Sequence, residues 1–206
     1  MERLIYDIYK NLDNPNERYK DGDCNNVAKN DMQFEGTYGE LTVDGYTTIL
    51  RNIPCSMDNV KYDFYDLGSG TGKVVMFAAL FGDFNNITGV EYLEERHDIA
   101  KNAFTKLIDT QDSELNSHIY LIKGNLFNKK YFKEPKHAVY FISNLCFSDD
   151  MNNKVSSLFN KYRSAKQTII ICSKKLNKLN NFTLVKKINV EMTWNTKSLV
   201  YIYESS

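Results

Sequence analysis

The run Asp66-Leu67-Gly68-Ser69-Gly70-Thr71-Gly72 places alternate glycines directly behind a carboxylate. A turn built on Gly68 and Gly70 bends sharply and lets a ligand approach the backbone, because no Cβ intervenes. A second carboxylate, Glu91 in Gly89-Val90-Glu91, follows about twenty residues on, the spacing at which an acidic side chain accepts ribose hydroxyls. Asp66 is placed to pair with a ligand ammonium. The dinucleotide fingerprint GxGxxG fits poorly: the third glycine comes one residue early, and the aspartate repels a pyrophosphate. The cationic methionine end of S-adenosylmethionine suits the run better. Taken singly, a tight turn and a solvated glutamate account for these features. Their joint spacing points to a cofactor.

Further on, Gly124-Asn125-Leu126-Phe127 offers the Asn125 amide oxygen to an adenine amine, with Leu126 or Phe127 covering the ring. Asn125 alone is equally a turn residue. The acceptor side is read from Ile142-Ser143-Asn144-Leu145-Cys146-Phe147-Ser148-Asp149-Asp150. Enzymes that methylate nucleic-acid amines carry Asn or Asp, two prolines and an aromatic there, and this segment has no proline. Cys146, and Cys172 at the next strand end, are candidate nucleophiles of the cytosine carbon-5 type. Neither has the Pro-Cys or Thr-Cys context, and small buried hydrophobes are the plainer reading.

Strand ends must hold these residues. Apolar patterning predicts strands at 64–67, 86–91, 118–123, 138–143 and 167–172, with helices at 73–81, 93–109 and 151–162. Two more strand-like runs, 183–190 and 199–204, are joined around Trp194 with no helix between them. Such units imply a parallel sheet with helices on both faces. The closing antiparallel hairpin makes it the α/β, Rossmann-like, seven-stranded class I methyltransferase fold. Residues 1–10 and 43–52 read as helices, separated by a polar loop over 11–31. The expected organisation is a helical and loop cap at 1–52 packed on a catalytic core at 53–206, as one structural unit.

Composition sets the bounds. A chain of 206 residues, 42% hydrophobic and 13% aromatic, buries a core without disulfides or metal. A formal net charge of +0 argues against a strongly basic nucleic-acid clamp. No run approaches the roughly 18 apolar residues of a membrane span, and residues 1–10 lack a signal-peptide pattern. Cys24, Cys55, Cys146 and Cys172 show no CxxC pairing, so no structural zinc is expected, and an intracellular compartment is.

Tyr38-Gly39-Glu40, the glycine run with Val74-Val75, Gly89-Val90-Glu91, Ser143-Asn144-Leu145-Cys146-Phe147, and Thr193-Trp194 with the strand to Tyr201 occur in one order. On these residues the chain, from about Phe34 onward, resembles the disruptor-of-telomeric-silencing (type one, DOT) non-SET histone-lysine methyltransferases. The resemblance implies an S-adenosylmethionine-dependent protein-lysine N-methyltransferase of a core histone in the nucleosome, nuclear and monomeric. Tyr38 and Glu40 would lie over the methionine end of the cofactor, and Lys73 would be a further cofactor contact. Asp66 would sit on its amino group, above Gly68 and Gly70. Glu91 would hold the ribose, and Asn125 with Leu126 the adenine. Asn144, Phe147, Trp194 and Tyr201 would line a narrow channel for a lysine side chain. Trp194 and Tyr201 are otherwise packing residues of the hairpin.

The chain departs from the family pattern at Leu41 (Thr there), Lys73 (Gln) and Asn125-Leu126 (Asp-Phe), each a change at a cofactor contact. Lys174, Lys175, Lys178, Lys186 and Lys187 form a basic cluster, a solvated face or a track for nucleosomal DNA. Methyl transfer from a sulfonium to an amine is an in-line displacement on the uncharged amine. An aromatic channel favours that form, and orientation supplies much of the acceleration. No metal or covalent nucleophile is expected. A non-histone protein lysine, a module that binds cofactor or partner without turnover, and a nucleic-acid methyltransferase, against which the missing prolines count, are the other readings.

Overall fold

β4 (His137–Ile142) and β5 (Gln167–Cys172) are nearly unbroken apolar runs, the mark of strands covered on both faces. In the computed structural model, which describes residues 2–10, 12, 40–54, 60–110, 115–132, 137–161 and 167–205, both lie inside the sheet. Alternate side chains of β4 point to opposite sides. Ala138, Tyr140 and Ile142 meet Val155 and Phe159 of α5 (Asp149–Lys161). Val139 and Phe141 meet Tyr46 and Ile49 of α2 (Val43–Leu50) and Phe77 of α3 (Lys73–Phe81).

The remaining elements are α1 (Glu2–Tyr9), β1 (Tyr62–Leu67), β2 (Phe84–Glu91), α4 (Glu94–Thr110), β3 (His118–Lys123), β6 (Phe182–Met192) and β7 (Asn195–Ser205). The sheet among the described residues has seven strands in the order β3-β2-β1-β4-β5-β7-β6. β1 to β5 pair in parallel, while β7 runs antiparallel to both β5 and β6. The expected mostly parallel sheet with a terminal antiparallel hairpin is therefore present. The chain winds outward from β1 to β3 and then returns to β4 on the other side of β1. A crevice opens at such a reversal, beyond the carboxyl ends of β1 and β4.

Two elements differ from expectation. β6 and β7 are longer than the apolar pattern suggests, their ladder running from Phe182 opposite Ser205 to Met192 opposite Asn195. The turn is only Thr193-Trp194. Exposed Asn195, Thr196 and Lys197 hide this extension, because hydrogen bonding rather than alternation holds it. Between β3 and β4, where the sequence pattern assigns no element, the described residues include a 3-10 turn, Lys129–Phe132. Phe132 stacks on Tyr140 at 5.6 Å and so plugs the core there.

The described part of the predicted cap is tied to the core through both of its helices. Ile8 of α1 packs with Met76, Ala103 and Leu107. α2 begins at Thr42, whose hydroxyl accepts from Gly45 N at 3.1 Å. Gly45 is needed because a Cβ there would lie 2.1 Å from the Glu191 carbonyl of β6.

Candidate functional site

The glycine turn fills the crevice mouth. Gly68, Gly70 and Gly72 have φ of 93°, 54° and 84°, a left-handed backbone that side chains with a Cβ rarely adopt. Gly68 N and Ser69 N donate to the Val90 carbonyl at 2.8 and 3.0 Å, lashing the turn to the end of β2. At Gly72 a Cβ would also meet the Ala100 Cβ at 2.9 Å. Gly72→Ala should therefore lower stability by about 1–3 kcal/mol in urea unfolding.

Two buried acids face the same cleft. Glu91 is 6% exposed, and its Oε2 accepts from Gly70 N and its Oε1 from Leu93 N, both at 2.8 Å. Each oxygen keeps a second lone pair for a further donor. Asp66 is 2% exposed and lines the cleft beside it. Burial, and then the negative charge of Glu91, push the Asp66 carboxyl from 3.8 up to about 8. This donor set suits a cationic ligand bearing hydroxyls and disfavours a phosphate. S-adenosylmethionine fits it on both counts.

Glu40 pairs with Lys73 and accepts from the Thr71 hydroxyl at 3.1 Å. Burial pulls the Lys73 ammonium down to about 8, and its Nζ lies 5.0 Å from the centre of the Tyr9 ring. The Lys73 charge is thus answered within the protein, which leaves Asp66 and Glu91 to face a ligand. The Tyr9 hydroxyl donates to the Thr71 carbonyl at 2.9 Å, so α1 also braces the turn. Tyr9 escaped the sequence reading, since nothing local links it to a turn 62 residues away. Tyr38 lies outside the described residues.

At the opposite end Gly124 and Leu126 line the cleft, with Tyr92, Leu93 and Arg96. Asn125 corrects the expectation. Its Oδ1 accepts from Phe127 N at 2.9 Å, closing a local Asx turn, and the residue does not line the cleft. The apolar wall on this side is Leu126.

Asn144 is a second correction. It is 0% exposed and lines neither cleft described here. Its Nδ2 donates to Asn152 Oδ1 at 2.7 Å and to the Lys174 carbonyl at 3.0 Å. Its Oδ1 accepts from Lys174 N at 2.8 Å and from the Ser173 hydroxyl at 3.4 Å. The side chain is fully used in stapling the β4–α5 loop to the end of β5. Asn144→Ala should lower stability by about 2–4 kcal/mol, because buried partners lose their mates. Melting temperature and any activity should then fall together.

Phe147, on that loop, lines the first cleft. Trp194 and Tyr201 line a neighbouring cleft, together with Leu145 and Leu199. Met192 lines both, so the two clefts share a wall. This residue was missed, although it stands two positions before Trp194. Cys172 is buried beside Tyr201 in the sheet register, and burial raises its thiol far above the usual range. It is a core residue rather than a nucleophile. The basic cluster divides: Lys174 and Lys175 line the second cleft, while Lys186 and Lys187 lie exposed on the edge strand β6, where charge discourages further pairing.

Glu40 is also bound to the hairpin turn. Thr193 N donates to the Glu40 carbonyl at 2.9 Å, and Glu40 N donates to the Thr193 hydroxyl at 3.2 Å. Leu41 next to it bridges to Met192. The segment before α2 therefore lies along the end of β6, next to Trp194.

A search of curated protein sequences gave no match. Among solved structures, the chain is similar to the putative methylase HI0767 from Haemophilus influenzae, with TM-score 0.52 and 16% identity over 78% of this chain and 86% of that one. The tRNA methyltransferase TrmK of B. subtilis is similar with TM-score 0.51 and 12% identity, over 79% of this chain and 65% of its own. MtNAS, solved with S-adenosylmethionine, gives TM-score 0.54 and 10% identity, over 78% of this chain but only 61% of MtNAS. At these identities the likeness is one of fold. The sequence model of a family described as histone methylation protein DOT1 matches residues 23–204. A match over most of the chain is decisive: the protein belongs to that family and is a methyltransferase whose cofactor is S-adenosylmethionine.

Proposed function

We propose that the protein is a protein-lysine N-methyltransferase acting on a core histone within the nucleosome, and so in the nucleus. The observation that carries this reading is the second cleft, where Trp194, Tyr201, Leu145 and Leu199 stand among polar and lysine side chains and which shares Met192 with the acid-lined first cleft. Asp66 would hold the ammonium of the cofactor's methionine end, Glu91 its ribose hydroxyls, and Leu126 would cover its adenine. Bound there, S-adenosylmethionine supplies an electrophilic methyl on sulfonium.

The protein's part is orientation and exclusion of water. Trp194 and Tyr201 present ring surface to the acceptor side chain, Met192 flanks the boundary between the clefts, and Phe147 lines the donor side. An ammonium is disfavoured against such walls, so the acceptor amine enters uncharged. Its proton leaves to solvent at the cleft mouth before transfer. Alignment of amine and methyl then provides much of the rate.

Tritiated methyl transfer to intact nucleosomes, free histones and cell extract tests the assignment. Label on a histone lysine is the expected result, and label on RNA overturns it. Tyr201→Ala and Trp194→Ala should slow transfer by about 10–100-fold through lost positioning. Calorimetric affinity for S-adenosylmethionine should stay unchanged in both. A lysine of a non-histone protein is the second reading, favoured by the net charge of +0, which provides little overall attraction to nucleosomal DNA.

A further inference from the structure

We propose that the acceptor cleft selects lysines carried in acidic protein segments with apolar flanks, a specificity that rests on the protein-lysine reading above. The first observation is charge. The lining of this cleft includes Lys174, Lys175 and Lys197 and no carboxylate. Lys174 is engaged, its Nζ lying 3.3 Å from Asp149 Oδ1 and 3.1 Å from the Phe147 carbonyl. Lys175 and Lys197 are exposed and make no ion pair among the described residues. Two unanswered ammonium groups therefore flank the entrance to a site whose acceptor is itself an amine.

The second observation is apolar surface. Leu145, Trp194 and Leu199 are 48%, 37% and 41% exposed, and all three line this one cleft. A surface aromatic beside two open leucines is a docking face for side chains. Nucleic-acid bases would stack on Trp194 but gain little from the leucines, so a peptide occupant fits the lining better.

The two observations act on the same ligand. A segment with cationic neighbours around its lysine is repelled by Lys175 and Lys197. Carboxylates on either side of the lysine reach those ammonium groups instead, while apolar flanks cover Leu145 and Leu199. Exposed ion pairs are individually weak, so the discrimination is modest per contact and salt-sensitive.

Fluorescein-labelled peptides with one central lysine test this, flanked in turn by Asp and Leu, by Gln and Leu, or by Arg and Leu. Binding to the full chain is read by anisotropy with saturating S-adenosylhomocysteine, and transfer is read separately with S-adenosylmethionine. The acidic peptide should bind about five- to tenfold tighter than the Gln peptide, as a pair of exposed ion pairs allows, and the Arg peptide weakest. High salt should erase the difference. Lys175→Glu with Lys197→Glu should invert the order, and Lys175→Gln with Lys197→Gln should flatten it. Equal affinities, or an order unmoved by these variants, overturn the proposal. So does a DNA duplex that displaces the acidic peptide through the same two lysines. If the charge preference holds but no protein substrate accepts a methyl group, the lysine-transfer reading fails and the preference of the cleft stands.

Discussion

Asp66→Asn should weaken S-adenosylmethionine binding by about 10–100-fold in calorimetry, the worth of one buried charge-assisted contact. The same variant should remove a pH dependence. Asp66 holds its proton up to about 8 in the folded protein against an ordinary value of 3.8, so between those values the folded state binds a proton that the unfolded state lacks. Stability of the ligand-free protein from this group therefore declines as pH rises from 4 to 8, and levels off above. A cationic ligand favours the carboxylate, so its binding expels that proton, and affinity grows with pH up to about 8. Lys73, pulled down to about 8 from 10.5, acts in the separate window above 8, where it makes stability increase with pH. Thermal melts with and without S-adenosylmethionine across pH 5 to 8 should converge toward acid in the wild type. In Asp66→Asn the spacing between them should hardly change. A spacing in the wild type that is constant with pH contradicts the assignment.

Glu91→Ala is expected to do damage of two kinds. Gly70 N and Leu93 N lose their acceptor, which costs about 2–4 kcal/mol of stability in denaturant titration. The turn then loosens where Gly70 takes its left-handed bend, and a ribose loses its acceptor too. Glu91→Gln should do scarcely better, because an amide has one acceptor atom for two backbone donors and turns an N–H toward one of them. A Gln variant of wild-type stability that still failed to bind would make Glu91 a ligand contact alone. One that bound normally would remove the residue from the site.

These acids were legible before the structure because their placement is local. A short apolar run, then glycines, then the apolar helix Lys73–Phe81 leaves one arrangement open, and Asp66 must stand at the strand end. β3 and β5 are bounded as expected for a similar reason, with polar residues on either side. What escaped depends on partners far along the chain. Asn144 has the residue type of a channel lining, yet Asn152, Ser173 and Lys174 converge on it only after β5 is laid beside β4. Asn125 was misread for the opposite reason, since its own Asx turn draws the oxygen assigned to adenine back onto Phe127 N and away from the cleft lining. Met192 reads as one more apolar strand residue until the hairpin brings it between two clefts.

The paired hydrogen bonds between Glu40 and Thr193 have a kinetic consequence. One end of this rivet borders the first cleft, through Glu40, and the other abuts Trp194 of the second, although 153 positions separate Glu40 and Thr193 along the chain. A donor seated against Glu40 would steady this junction further, and a methyl acceptor arriving second at Trp194 would then forfeit less freedom. Initial-rate patterns should accordingly be those of a compulsory sequence, donor before acceptor. Thr193→Val, which removes the hydroxyl bond and leaves the backbone one, should weaken this preference toward random order.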